Sequence, residues 1–83
     1  MRALSPDAVA VTPLDDFRLS VLFENGEKRE FDVKPLLSRV CYAPLRDTTF
    51  FRRARIEYGV VTWPDNIDID PEWLYGDSVA EMP

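Results

Sequence analysis

The sequence predicts one small α+β domain: a mostly antiparallel sheet of four or five strands with two hairpins, short helices between the hairpins and a short C-terminal helix. Three observations carry that class. Phe17, Leu19, Val21 and Phe23 fall at every second position, a period that sends four apolar side chains to one sheet face. Asn25-Gly26 separates this run from a second alternating one, and Asn-Gly is the favoured pair for a tight hairpin turn. Pro35 opens a stretch whose apolar residues return at helical spacing instead, and Asp70-Pro71 has the N-cap and first-position proline of a helix start.

Taken in order, Val9 and Val11 alternate with small or polar neighbours and make a first strand that stops at Pro13 and the polar Asp15-Asp16 turn. The Phe17 to Phe23 run is the second strand. Leu22 breaks its alternation, which points to a second face partly covered by a helix or a neighbouring chain. A type I′ turn at Asn25-Gly26, where both central residues need positive φ, returns the chain along Lys28 to Asp32, with Phe31 and Val33 on the buried face. The result is a three-stranded meander.

Pro35 suits a first helical turn, and Leu36, Leu37 and Val40 continue at helical spacing. Pro44 opens another turn, and Asp47 caps a helix over 48–54 with Phe50 or Phe51 and Ala54 inward and Arg52 and Arg53 toward water. Arg55 to Tyr58 and Val60 to Trp63 read as a second hairpin around Gly59. Two extended stretches broken by Pro64 and Pro71 lead to a last helix, with Asp70 as N-cap, Pro71 at its first position and Glu72 near the positive end of its dipole. The domain fills residues 1–83, with a core over about 8–75 and a frayed tail over 76–83.

Composition sets the outer limits. Of 83 residues, 46% are apolar and 30% charged, the balance of a globular chain. A chain of this length buries only roughly 60 to 65% of its unfolded surface, enough for one core. The lone Cys41 cannot form an internal disulfide and no leader pattern opens the chain, so a cytoplasmic protein is expected. No apolar run approaches the ~20 residues of a membrane helix. Histidine is absent, which removes the commonest base near neutral pH and the commonest metal ligand, so no cofactor and no enzymatic activity are expected.

Charge is unevenly spread around a net of -5. Residues 28–55 hold 8 bases against 3 acids, and residues 56–83 hold 7 acids and no base. Either the acidic end folds across the basic middle and neutralises it, or a basic face stays exposed to an acidic partner. Direct nucleic-acid binding is disfavoured by a sequence pI of about 4.5.

Three groups of residues could carry function. Asn66, Asp68 and Asp70 alternate like the first ligands of a calcium loop, but Pro71 and Asp77 stand where its glycine and bidentate glutamate belong. Asp65, Asp68 and Asp70 remain weak metal candidates; otherwise these acids face water while Ile67 and Ile69 point inward. Cys41, between Val40 and Tyr42, reads as a small buried hydrophobe, with a reactive thiol as the alternative. Tyr58, Trp63, Trp73 and Tyr75 belong either to the core or to an aromatic interface beside Arg46, Arg52, Arg53 and Arg55.

The order Phe23 to Val33 (Phe-Glu-Asn-Gly-Glu-Lys-Arg-Glu-Phe-Asp-Val), Leu36-Leu37, Pro44-Leu45-Arg46-Asp47 with Phe50 or Phe51, Trp63-Pro64-Asp65-Asn66-Ile67-Asp68 and Asp70-Pro71-Glu72-Trp73-Leu74-Tyr75 resembles the bacterial domain of unknown function family 2442 over roughly residues 8 to 75. The ending is the most specific part. The resemblance implies a small α+β domain and supplies no catalytic residues. It also implies gene neighbourhoods similar to toxin and antitoxin pairs, and relatives in which a helix-turn-helix domain follows. The expected function is therefore protein-protein interaction, with a partner encoded by a neighbouring gene and this chain as the antitoxin-like member, or with a homodimer. The alternatives are a small divalent-metal-dependent enzyme and an adaptor assisting DNA binding through another chain.

Overall fold

The computed structural model describes residues 5–81. Its two antiparallel sheets carry the expected α+β class with more strands than the sequence suggests. β1 (Ala8–Leu14), β2 (Arg18–Phe23) and β3 (Lys28–Asp32) form the meander, and β7 (Val79–Ala80) completes it in the order β1-β2-β3-β7. The second sheet is β4 (Arg55–Glu57), β5 (Val60–Trp63) and β6 (Ile67–Asp68) in sequence order. Between the sheets in sequence lie two 3₁₀ helices, Lys34–Leu36 and Val40–Arg46, and α1 (Thr48–Phe51); α2 (Pro71–Gly76) follows β6.

The period-2 pattern of β2 puts Leu19, Val21 and Phe23 against the core, joined by Phe31 and Val33 from the returning strand. Phe17 sits just before the strand, in the turn with φ 57°, and still reaches the core edge-on to Phe51 at 5.3 Å between ring centroids. From the second sheet and the helices come Val61, Trp63, Ile69, Leu36, Tyr42, Leu45, Phe51 and Leu74. One backbone bond, from Ala8 N–H to Gly59 C=O at 3.0 Å, ties the end of β1 to the β4–β5 turn.

Several expectations are corrected by local physics. β1 runs through Pro13, which pairs with Leu19, because β1 ends the strand order and a proline there forfeits no bond to a further strand. At Asn25-Gly26 only Gly26 has positive φ, 89°; Gly26 N–H reaches Phe23 C=O while Phe23 N–H reaches Glu27 C=O, so the loop has three residues instead of a two-residue type I′ turn. The two-residue turn with positive φ at both positions is at Tyr58 and Gly59, where a pair of strands closes on Glu57 and Val60.

Residues 34–46 wind as 3₁₀ helices, with buried side chains returning every third residue at Tyr42 and Leu45; Val40 is 89% exposed and Pro44 lies inside the second 3₁₀ helix. The helix expected over 48–54 spans four residues, with the Asp47 carboxylate accepting from Thr49 N–H at 2.9 Å and Arg52 closing it. Leu22 is open to solvent, on a sheet face it shares with Ala10, Thr12 and Ser20. Past Gly76, where the sequence suggests fraying, Val79 and Ala80 pair with Glu30 and Arg29. Residues 82–83 lie outside the described residues.

Candidate functional site

The chain from Arg46 to Tyr58 is a corner: the end of a 3₁₀ helix, one turn of α1, then β4 leading to a tight turn. Its four arginines are exposed. The Arg46 Nε donates to Leu37 C=O at 2.7 Å, Arg52 Nη2 to the Asp15 carboxylate at 3.2 Å and Arg55 Nε to the Glu57 carboxylate at 2.9 Å. The Arg53 side chain has no hydrogen-bond or ion-pair partner among the described residues. A guanidinium carries five donors, so one anchoring bond fixes direction and leaves most of the group for a second acceptor.

The acidic end does not neutralise this middle segment through ion pairs. Among the described residues, Arg55 to Glu57 is the pair that joins the two; Lys34 meets Asp16 and Asp32, and Arg18 meets Glu30. Asp65, Asp68, Asp70 and Glu72 all face water, with Ile69 buried between them. Asp70 is occupied as an N-cap, its carboxylate accepting from Glu72 N–H at 2.9 Å and Trp73 N–H at 3.3 Å. No cluster of three metal-ligating side chains occurs among the described residues.

The aromatic candidates separate. Trp63 is 1% exposed and its indole N–H donates to Phe51 C=O at 2.8 Å, so it is core and leaves the interface set. Trp73 is half-buried under the Arg39 guanidinium, 5.3 Å from its ring centroid. Tyr75 stands beneath Arg29 at 4.6 Å and edge-on to Phe23, and its hydroxyl donates to the Glu27 carboxylate at 2.6 Å. That bond holds the Glu27 carboxyl below its ordinary value and raises the Tyr75 phenol above its own. Tyr75 therefore clamps α2 onto the β2–β3 hairpin.

An open cleft of about 340 Å³ lies between the second 3₁₀ helix and the β5–β6 turn, lined by Cys41, Tyr42, Asp65, Asn66, Ile67 and Asp68. Cys41 is exposed here, against the expectation of a buried hydrophobe, because the three-residue winding that buries Tyr42 turns its neighbour outward. The Tyr42 hydroxyl donates to Asp68 C=O at 2.9 Å, and burial first, then nearby Cys41 and Asp68, push its ionisation up. The cleft thus offers a thiol, two carboxylates and an amide, all in open water.

A family model described as "Protein of unknown function (DUF2442)" matches residues 8–80. The chain belongs to the DUF2442 family. No curated protein and no solved structure matches it. The match takes in every strand of this DUF2442 domain, including β7, and so extends past the span that the sequence motifs suggest. Among the described residues, none of its helices is long and apolar enough to cross a membrane. Tyr58, expected at the end of the strand over 55–58, lies instead in the turn beside Gly59, at φ 52° and 99% exposed, the most open of the aromatic candidates.

Proposed function

We propose that this DUF2442 domain is a protein-interaction module that docks an acidic segment of its partner onto the corner formed by Arg46, Arg52, Arg53 and Arg55. The carrying observation is that three of these guanidinium groups are each steadied by one bond to Leu37, Asp15 or Glu57, while Arg53 is unpaired among the described residues. Steadied arginines lose less rotamer freedom on binding, and carboxylates are matched bidentately by their remaining donors. Trp73 under Arg39, beside the exposed Val40, adds an aromatic margin of the kind interfaces favour.

The product of a neighbouring gene is the first candidate partner, with this acidic chain in the antitoxin-like place. The test is capture of the tagged chain from its native host at physiological salt, with native mass spectrometry of the eluate, for the wild type and for Arg52→Glu/Arg53→Glu. A stoichiometric complex that the double variant loses, at unchanged melting temperature, supports the reading; an equally abundant complex with both proteins overturns it. Because the net charge is -5, no salt-sensitive shift of free DNA is expected from the isolated domain.

A further inference from the structure

The β4–β5 turn places a tyrosine where a tyrosine is costly. Tyr58 and Gly59 both have positive φ, 52° and 77°, and the residue best suited to the first place is asparagine or glycine. The turn is nevertheless held firmly. Ala8 N–H bonds to Gly59 C=O, and a Cβ on Gly59 would lie 2.6 Å from the Asp7 Cγ, so the Asp7 side chain is packed directly on the turn. The Tyr58 ring is left 99% exposed, with Val9 from the adjoining strand 51% exposed. A solvent-facing aromatic on a strained, well-packed turn has the character of the side chains that interfaces use as anchors.

Charge along the same segment names the occupant. Arg53 and Arg55 stand at the start of β4; Glu57 and Tyr58 stand at its end, with the carboxylate of Asp7 against the turn. Positive thus leads and negative with aromatic follows. A second copy laid antiparallel across the outer face of this strand, with the two-fold axis at Ile56, sets Arg55 of each chain beside Glu57 of the other, so that the internal Arg55 to Glu57 pairs, 2.9 Å apart, join into one alternating network. It also brings each Arg53 toward the other's Tyr58 ring and Asp7. We infer that the Arg53 to Tyr58 strip, at one end of the arginine corner, is self-complementary and docks a second copy of this chain, held by Arg55 to Glu57 pairs and by Arg53 on Tyr58. This rests on the proposed docking role of that corner. The contact is small and mostly polar, so the dimer is weak and salt-sensitive.

Sedimentation velocity of the wild-type chain, from low to high micromolar concentration and at two salt concentrations, reads the association directly. Tyr58→Asn, which relieves the positive-φ strain, is expected to melt at or above the wild-type temperature while its association weakens by about tenfold. Glu57→Arg alone makes the strip all-positive and is expected to abolish the dimer, whereas Arg55→Glu/Glu57→Arg keeps opposite charges across the axis and restores it. A wild-type chain that stays monomeric throughout, or a dimer indifferent to Glu57→Arg, overturns the inference. If that chain is monomeric yet its complex from the host is lost in Arg52→Glu/Arg53→Glu, self-pairing falls and the docking role stands. If the dimer follows the charge pattern and the host complex ignores the arginines, the converse holds.

Discussion

At the scale of single residues, the hydroxyl of Tyr75 sets a pH window. Its bond to Glu27 depresses the folded carboxyl's proton affinity, so its contribution is present above the ordinary carboxyl value of 4.5 and is lost as pH falls through the lowered one. The same bond raises the phenol, so on the alkaline side the contribution is present below 10.0 and is lost as pH rises through the raised value. Tyr75→Phe is therefore expected to lower the melting temperature on the plateau and to flatten the decline at both edges, which a melting series across pH checks. Trp63 is a different kind of residue: Trp63→Ala removes a filled core volume and the shorter of the two hydrogen bonds to Phe51 C=O, costing about 3–5 kcal/mol and leaving little folded protein by circular dichroism. Burial is what separates these aromatics, and the sequence carries no measure of it; Trp63 and Trp73 each lie within two residues of a proline and of an acidic residue.

At the scale of elements, the caps and alternating strands were legible because each is a local rule. Asp47 and Asp70 cap where expected, and Asp70→Ala is predicted to cost about 1 kcal/mol, read as a fall in the urea midpoint at constant slope. The 3₁₀ path over 34–46 was not legible, since Leu36, Leu37 and Val40 fit an α-helix equally well and only tertiary packing chooses a three-residue winding. β7 was hidden for a related reason. Two residues carry no period, and the strand is held from outside by Arg29, whose guanidinium donates to Ser78 Oγ at 2.6 Å and Ser78 C=O at 2.7 Å. Arg29→Ala should release it, with amide exchange of residues 79–81 accelerating while that of β2 stays slow.

At the scale of the molecule, the sheets face one shared core and leave charge to decide the outside. The sequence showed that the middle is basic and the end acidic, but not which of two arrangements the fold adopts. The fold resolves it through distant pairing: Arg52 reaches Asp15, Lys34 reaches Asp16, and Asp65, Asp68, Asp70, Glu72 and Asp77 stay in water. Such long-range partners are invisible to segment counting, and so is the exposure of Tyr58, which depends on a turn packed by Asp7.

The most direct test of the docking surface is a hydrogen-exchange footprint of the chain bound to its captured partner against the chain alone. Protection concentrated over residues 46–58, with the open sheet face around Ala10, Thr12 and Leu22 unchanged, is the predicted result. Protection of that sheet face with none from Arg46 to Tyr58 would contradict the account.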